Sequence, residues 1–149
     1  KFFESFLKDV ETGKTGLVSF LLTFIPQLAK EHRKHTCPVS GEDRLDTALY
    51  VAAARGRTQI VKKLIESGAD VNQNVGFLPP PINEAASCGH TDIVKLLLDA
   101  GANQTSSYFR TALGSAISNN RNNQNAQVIE LLKSRMTPGR RFWAWLADE

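Results

Sequence analysis

Gly56-Arg-Thr-Gln-Ile-Val-Lys-Lys-Leu-Ile65, continued by Glu66-Ser-Gly-Ala69, decides the fold because it comes back. It returns as Gly89-His-Thr-Asp-Ile-Val-Lys-Leu-Leu-Leu98, continued by Asp99-Ala-Gly-Ala102. Thr58, Ile60, Val61, Leu64, Gly68 and Ala69 each recur 33 residues later. The residues upstream keep the same offset, with Leu49, Ala52 and Ala53 echoed by Ile82, Ala85 and Ala86. A fixed period of this length is the signature of a repeat architecture, in which each unit stacks on its neighbours.

Two further copies are more diverged. Downstream, Val128-Ile-Glu-Leu-Leu132 matches Ile93-Val-Lys-Leu-Leu97 at an offset of 35, and Leu113, Ala116 and Ile117 match Ile82, Ala85 and Ala86 at 31. Upstream, Gly13, Leu17-Val18 and Leu21-Leu22 match Gly56, Ile60-Val61 and Leu64-Ile65 at 43, one period plus a ten-residue insertion. The expected organisation is one domain over 1–149 with units at about 3–35, 46–75, 79–108 and 110–136. A capping helix is expected at about 139–147, where Phe142, Trp145 and Leu146 share a helical face.

Each unit reads as two short antiparallel helices. Leu49, Ala52 and Ala53 have the i, i+3, i+4 spacing of one helical stripe, and Ile60, Val61, Leu64 and Ile65 form a second. Gly56 and Gly89 are placed to end the first helix in a left-handed conformation. Thr58, Thr91 and Thr15 fall where an N-cap is expected. Neither helix buries its apolar face alone, so the units must stack into a solenoid.

Thr47-Ala-Leu-Tyr50-Val-Ala-Ala53, then Gly56, Ile60-Val61, Leu64-Ile65 and Gly68-Ala-Asp-Val-Asn72 resemble the ankyrin repeat. At the place of that family's histidine the successive copies hold Tyr50, Asn83 and Gly114. The resemblance implies an all-α, helix-turn-helix solenoid with short β-hairpin fingers and a concave face formed by the inner helices. It also implies a protein–protein interaction module rather than an enzyme.

Composition agrees with a folded domain. Hydrophobic residues are 42% and charged residues 22%, and the net charge of +3 is too mild to call for nucleic acid. The longest uncharged stretch, Thr15–Ala29, contains Ser19, Thr23, Pro26 and Gln27 and is shorter than the roughly 20 apolar residues of a membrane span. Two cysteines, Cys37 and Cys88, exclude a disulfide scaffold and favour an intracellular location, cytoplasm or nucleus. Glu4, Lys8 and Asp9 interrupt the apolar start, against a secretory signal. The absence of an initiator methionine leads to the expectation of a longer parent chain.

No residue set carries catalysis. His32, His35 and Cys37 lack a second ligand pair at metal-binding spacing, and Glu31-His-Arg-Lys-His35 reads as a solvated basic loop. Cys88 has no base at hand. Gly13-Lys14-Thr15 lacks the upstream glycine of a phosphate loop. No cofactor, metal or small-molecule substrate is expected.

The candidate surface is therefore a partner-binding one. On the first helices of the units, Tyr50, Val51, Arg55, Glu84, Ser87, Cys88, Ser115, Ser118 and Asn119 flank the buried stripes. On the fingers, Phe77 and Leu78 precede the proline triplet Pro79–Pro81, and Tyr108, Phe109 and Arg110 follow, with Phe109 expected to be buried. The expected binding set is Tyr50, Arg55, Phe77, Glu84, Ser87, Tyr108, Arg110 and Ser118, because tyrosine and arginine dominate interface hot spots. Lys62, Lys63 and Lys95 read as a solvated convex face. The expected partner is a protein or peptide, with further domains of a parent chain as a second candidate; membrane and nucleic acid are not expected. The alternative reading is a regulatory or targeting segment of a longer enzyme, channel or pathogen effector.

Overall fold

The computed structural model describes residues 2–30, 32–36, 43–73, 79–102, 107–120 and 124–135, with 32–36, 43–46 and 107–110 described by backbone alone. Its framework is helical. Among the described residues the α-helices are α1 (Phe2–Thr12), α2 (Thr15–Phe24), α3 (Ala48–Ala54), α4 (Thr58–Glu66), α5 (Pro81–Ser87), α6 (Thr91–Asp99), α7 (Ser107–Ser118) and α8 (Ala126–Arg135). The first helices of the pairs, α1, α3, α5 and α7, pack side by side in one layer, and α2, α4, α6 and α8 form a second layer against them.

The apolar stripes explain both layers. Leu49, Ala52 and Ala53 of α3 and Ile82, Ala85 and Ala86 of α5 are buried, and the alanines let adjacent helices approach closely. Ile60, Val61 and Leu64 of α4 and Ile93, Val94, Leu97 and Leu98 of α6 are buried from the second layer. The first pair follows the same register in both helices. Phe6, Asp9 and Val10 of α1 are buried 43 positions before Leu49, Ala52 and Ala53. Phe6 hides the correspondence by replacing a leucine, and Asp9 by replacing an alanine. A carboxylate is costly to bury alone, and Lys14 Nζ lies 2.8 Å from Asp9 Oδ1.

The turns between paired helices depart from the expected caps. Gly13, Gly56 and Gly89 have φ of +81°, +68° and +75°, the left-handed region that glycine enters without strain. Thr15, Thr58 and Thr91 are not N-caps but the first helical residues. Their backbone N–H groups donate to the carbonyls of Gly13, Gly56 and Gly89 at 2.8, 3.1 and 3.0 Å. The N-cap places belong to Lys14, Arg57 and His90, which make no side-chain cap bond.

Three loop expectations change. After α2, Pro26 opens a 3-10 turn, Pro26–Ala29. The basic stretch that follows is no loop: β1 (His32–Thr36) pairs antiparallel with β2 (Asp43–Thr47), His32 opposite Thr47 and Thr36 opposite Asp43. The proline triplet, placed with the fingers in the sequence, ends inside a helix, since Pro81 is the first residue of α5, where a missing N–H costs nothing. Tyr108 and Arg110, expected on a finger, instead belong to the first turn of α7. No glycine or proline interrupts 107–113, so the helix extends further back than α3 or α5. The finger segments 74–78 and 103–106 and the capping helix expected at 139–147 lie outside the described residues, as does Phe77; so does the side chain of Phe109.

Both ends of the stack leave apolar positions open. Leu17 stands in register with Ile60 and Ile93, which are buried, yet is 44% exposed. Ile117, matched with Ala53 and Ala86 in the sequence, is 43% exposed rather than buried. Among the described residues no helix pair precedes the first or follows the last.

Candidate functional site

The first-layer helices carry a series of polar side chains, each reaching the neighbouring unit. The Thr47 hydroxyl oxygen accepts the backbone N–H of Tyr50 at 3.1 Å and so fixes the start of α3. Tyr50 then points its hydroxyl at α5, donating to Glu84 Oε2 at 3.2 Å. One turn on, Cys88 Sγ lies 3.8 Å from the other oxygen of Glu84. Burial, and then the Glu84 charge beside it, pushes the Cys88 thiol above its ordinary pKa, so it is a poor nucleophile at neutral pH.

The same pattern bridges the other units. Arg55, just past α3, pairs through its guanidinium with Glu11 Oε1 of α1. Asn119, just past α7, donates its side-chain amide to Ser87 Oγ of α5. Deeper in the layer, Asn83 of α5 donates its amide to Thr111 Oγ1 of α7 at 2.6 Å. Of the expected binding set, Tyr50 and Glu84 are brought together, with Cys88 beside Glu84, while Arg55 and Ser87 each meet a residue of an adjacent unit. Ser118 is exposed on α7. On the second layer Lys62, Lys63 and Lys95 are exposed, and the Lys63–Glu66 pair at 2.8 Å holds the Glu66 carboxyl below its usual pKa.

A second series runs along the turns and was not read from the sequence. Arg57 donates from Nε and a terminal nitrogen to the carbonyl of Glu11 at 3.2 and 3.0 Å. His90 Nε2 lies 3.4 Å from the carbonyl of Ala54. Asn125 donates to the carbonyls of Ser87 at 3.3 Å and Ala116 at 3.1 Å. Glu11, Ala54 and Ser87 each stand two residues before a turn glycine, Gly13, Gly56 or Gly89. Every one of these side chains therefore crosses a glycine to bind the last carbonyls of the preceding unit's first helix. A Cβ on Gly13, Gly56 or Gly89 would come within 3.0, 2.8 or 2.4 Å of Arg57, His90 or Asn125. The Asn125 Oδ1, buried without a hydrogen-bond partner, rests against Gly89 in this way. The sequence held one signal, a polar residue following each turn glycine; the polar insertion before Asn125 concealed the third case.

Residues 49–98 match the family model described as ankyrin repeats (many copies). These residues are similar to ankyrin repeats. No curated protein matches the chain. The ankyrin match covers α3 to α6 apart from the first residue of α3 and the last of α6, the units with the clearest sequence periodicity. Where the ankyrin pattern has histidine, Asn83 supplies a bond from one repeat to the next instead. Ankyrin repeats are generally protein–protein interaction modules and generally non-catalytic.

Proposed function

We propose that the chain binds a protein or peptide partner across the exposed face of α1, α3, α5 and α7. The observation that supports this most is the polar series Glu11–Arg55, Tyr50–Glu84 and Ser87–Asn119. The exposed Glu11–Arg55 ion pair adds little to stability, about 0–1 kcal/mol. The series does hold tyrosine, arginine and carboxylate groups in fixed positions, which lowers the ordering cost when a partner exchanges hydrogen bonds with them. Tyr108 and Arg110, whose backbone lies in the first turn of α7, and Phe77, which falls between α4 and α5 in the sequence, belong to the same proposed binding set. An intracellular setting is proposed with this function, on the cysteine usage noted above.

The series is short of net charge and mixes donors with acceptors, so it suits a polypeptide better than a phosphate backbone. The test is affinity capture followed by titration with the captured partner. Arg55→Glu should weaken binding at least tenfold, about 1.4 kcal/mol, with helical circular dichroism retained. Lys63→Glu and Lys95→Glu should leave the affinity within twofold. Equal affinity for Arg55→Glu and wild type removes this face from the interface.

A further inference from the structure

Glu84 of α5 carries a charge that no cation among the described residues balances. Asp9, Glu11, Glu66 and Asp99 each meet a lysine or arginine. Glu84 is held by two neutral groups instead, with the Tyr50 hydroxyl 3.2 Å from Oε2 and the Cys88 thiol 3.8 Å from Oε1. A carboxylate has about four acceptor sites, so these bonds leave room for a further donor. The residue is half-buried.

The repeat register accounts for the isolation of this charge. Lys8, Val51 and Ser115 hold the place of Glu84 in the other units, so both helices flanking α5 present an uncharged side chain there. Lys8 stands two helices away, roughly 16–20 Å at the spacing of packed helices, a distance over which salt screens most of its effect. Arg55, just past α3, turns its guanidinium to Glu11 of α1, on the side of α3 away from α5. Arg110 of α7 precedes Ser115 by more than one helical turn.

We propose that the polypeptide bound on this face presents a lysine or arginine to Glu84. The inference rests on the binding face proposed above. A partner covering α3 and α5 with apolar or acidic groups would strip water from the carboxylate and leave it unpaired, which costs more than a typical contact returns. A cation at that place makes a charge-assisted hydrogen bond instead. Tyr50 and Val51, half-buried on α3, offer an apolar bed for the stem of a long side chain, which favours lysine or arginine over a backbone N–H. The carboxylate is already oriented by Tyr50 and Cys88, so little ordering is needed on binding. Glu84 thus selects among partners by rejecting those that bring no cation to it.

Selection from a random-peptide phage library, with the full chain as bait, tests this. Peptides selected by wild type should share a lysine or arginine at one position. Replacing that residue by norleucine, which keeps an unbranched stem and removes the charge, should weaken binding to wild type at least tenfold. The same replacement should change binding to Glu84→Gln by less than twofold. Glu84→Lys, with helical circular dichroism retained, should reject these peptides and select acidic ones. Glu66→Gln alters the net charge as Glu84→Gln does but lies exposed on α4, and it should behave as wild type. Peptides weakened by Arg55→Glu, but with no shared basic position or with an equal norleucine penalty in wild type and Glu84→Gln, overturn this proposal and leave the binding face standing. Peptides indifferent to Arg55→Glu and Glu84→Gln alike, or a library that yields none, overturn the face and this inference with it.

Discussion

His90 Nε2 lies 3.4 Å from the carbonyl oxygen of Ala54, and the ring covers Gly56 so closely that a Cβ there would come within 2.8 Å of it. Imidazole, carbonyl and glycine form one contact between two repeats, so substitutions in it should not act independently. Gly56→Ala should cost roughly 1–3 kcal/mol, from a left-handed φ and the clash together. His90→Ala should cost about 0.5–1.5 kcal/mol, the net value of one hydrogen bond. The double variant should be more stable than the sum implies, because the clash is gone. Urea unfolding of the four proteins measures this; strictly additive losses would mean that the ring and the glycine are not coupled.

Asn125 makes the corresponding contact one repeat later, and it is fully buried. Asn125→Leu should destabilise the protein by about 1–3 kcal/mol, since the carbonyls of Ser87 and Ala116 lose a donor. Asn125→Asp should be worse, because it places a carboxylate beside two carbonyl oxygens. Thermal melts followed by circular dichroism give the ranking, and an Asp variant as stable as wild type would contradict it.

Leu97 is wholly buried between α6 and its neighbours. Leu97→Ala should cost about 2–5 kcal/mol through the cavity it leaves. Lys95→Ala, two residues away but exposed, should change stability by less than about 0.5 kcal/mol. Chemical denaturation of both variants checks that the second-layer stripe, and not the helix as a whole, carries the stability.

The Cys88 thiol should react slowly. Its pKa is raised by burial and by Glu84, so at pH 8 less thiolate is present than in an unstructured peptide. In a Cys37→Ser background, the rate of reaction with iodoacetamide should lie below that of a cysteine peptide. Glu84→Gln should increase it by removing the adjacent negative charge. An unchanged rate in Glu84→Gln would leave burial as the sole cause.

The repeat itself was legible because position and burial coincide: Leu49, Ala52 and Ala53 must face inward wherever the helix recurs. Asp9 obscured that rule in α1, since its burial depends on Lys14, a partner that no periodicity announces. The threonine caps were misplaced by one residue for a related reason. A threonine after Gly-x satisfies the local cap pattern, but the residue between them takes the cap place, with Arg57 and His90 drawn across the turn to the preceding repeat and Lys14 held by Asp9. Of the candidate face, the sequence placed Tyr50, Arg55, Glu84 and Ser87 on the right helices or their ends. It could not supply Glu11, whose role depends on how α1 packs against α3. Tyr108 and Arg110 were assigned to a loop because, in repeat register with α3 and α5, they fall before the first helical residue.

The most direct test of the partner-binding face is site-specific photo-crosslinking. Benzoylphenylalanine would replace Ser118, exposed on α7, in one protein and Lys63, exposed on α4, in another, each irradiated in cells that express it. The account predicts a discrete higher-mass adduct with a second polypeptide from position 118 and none from position 63. An adduct from position 63 alone would place the partner on the opposite layer and contradict the account.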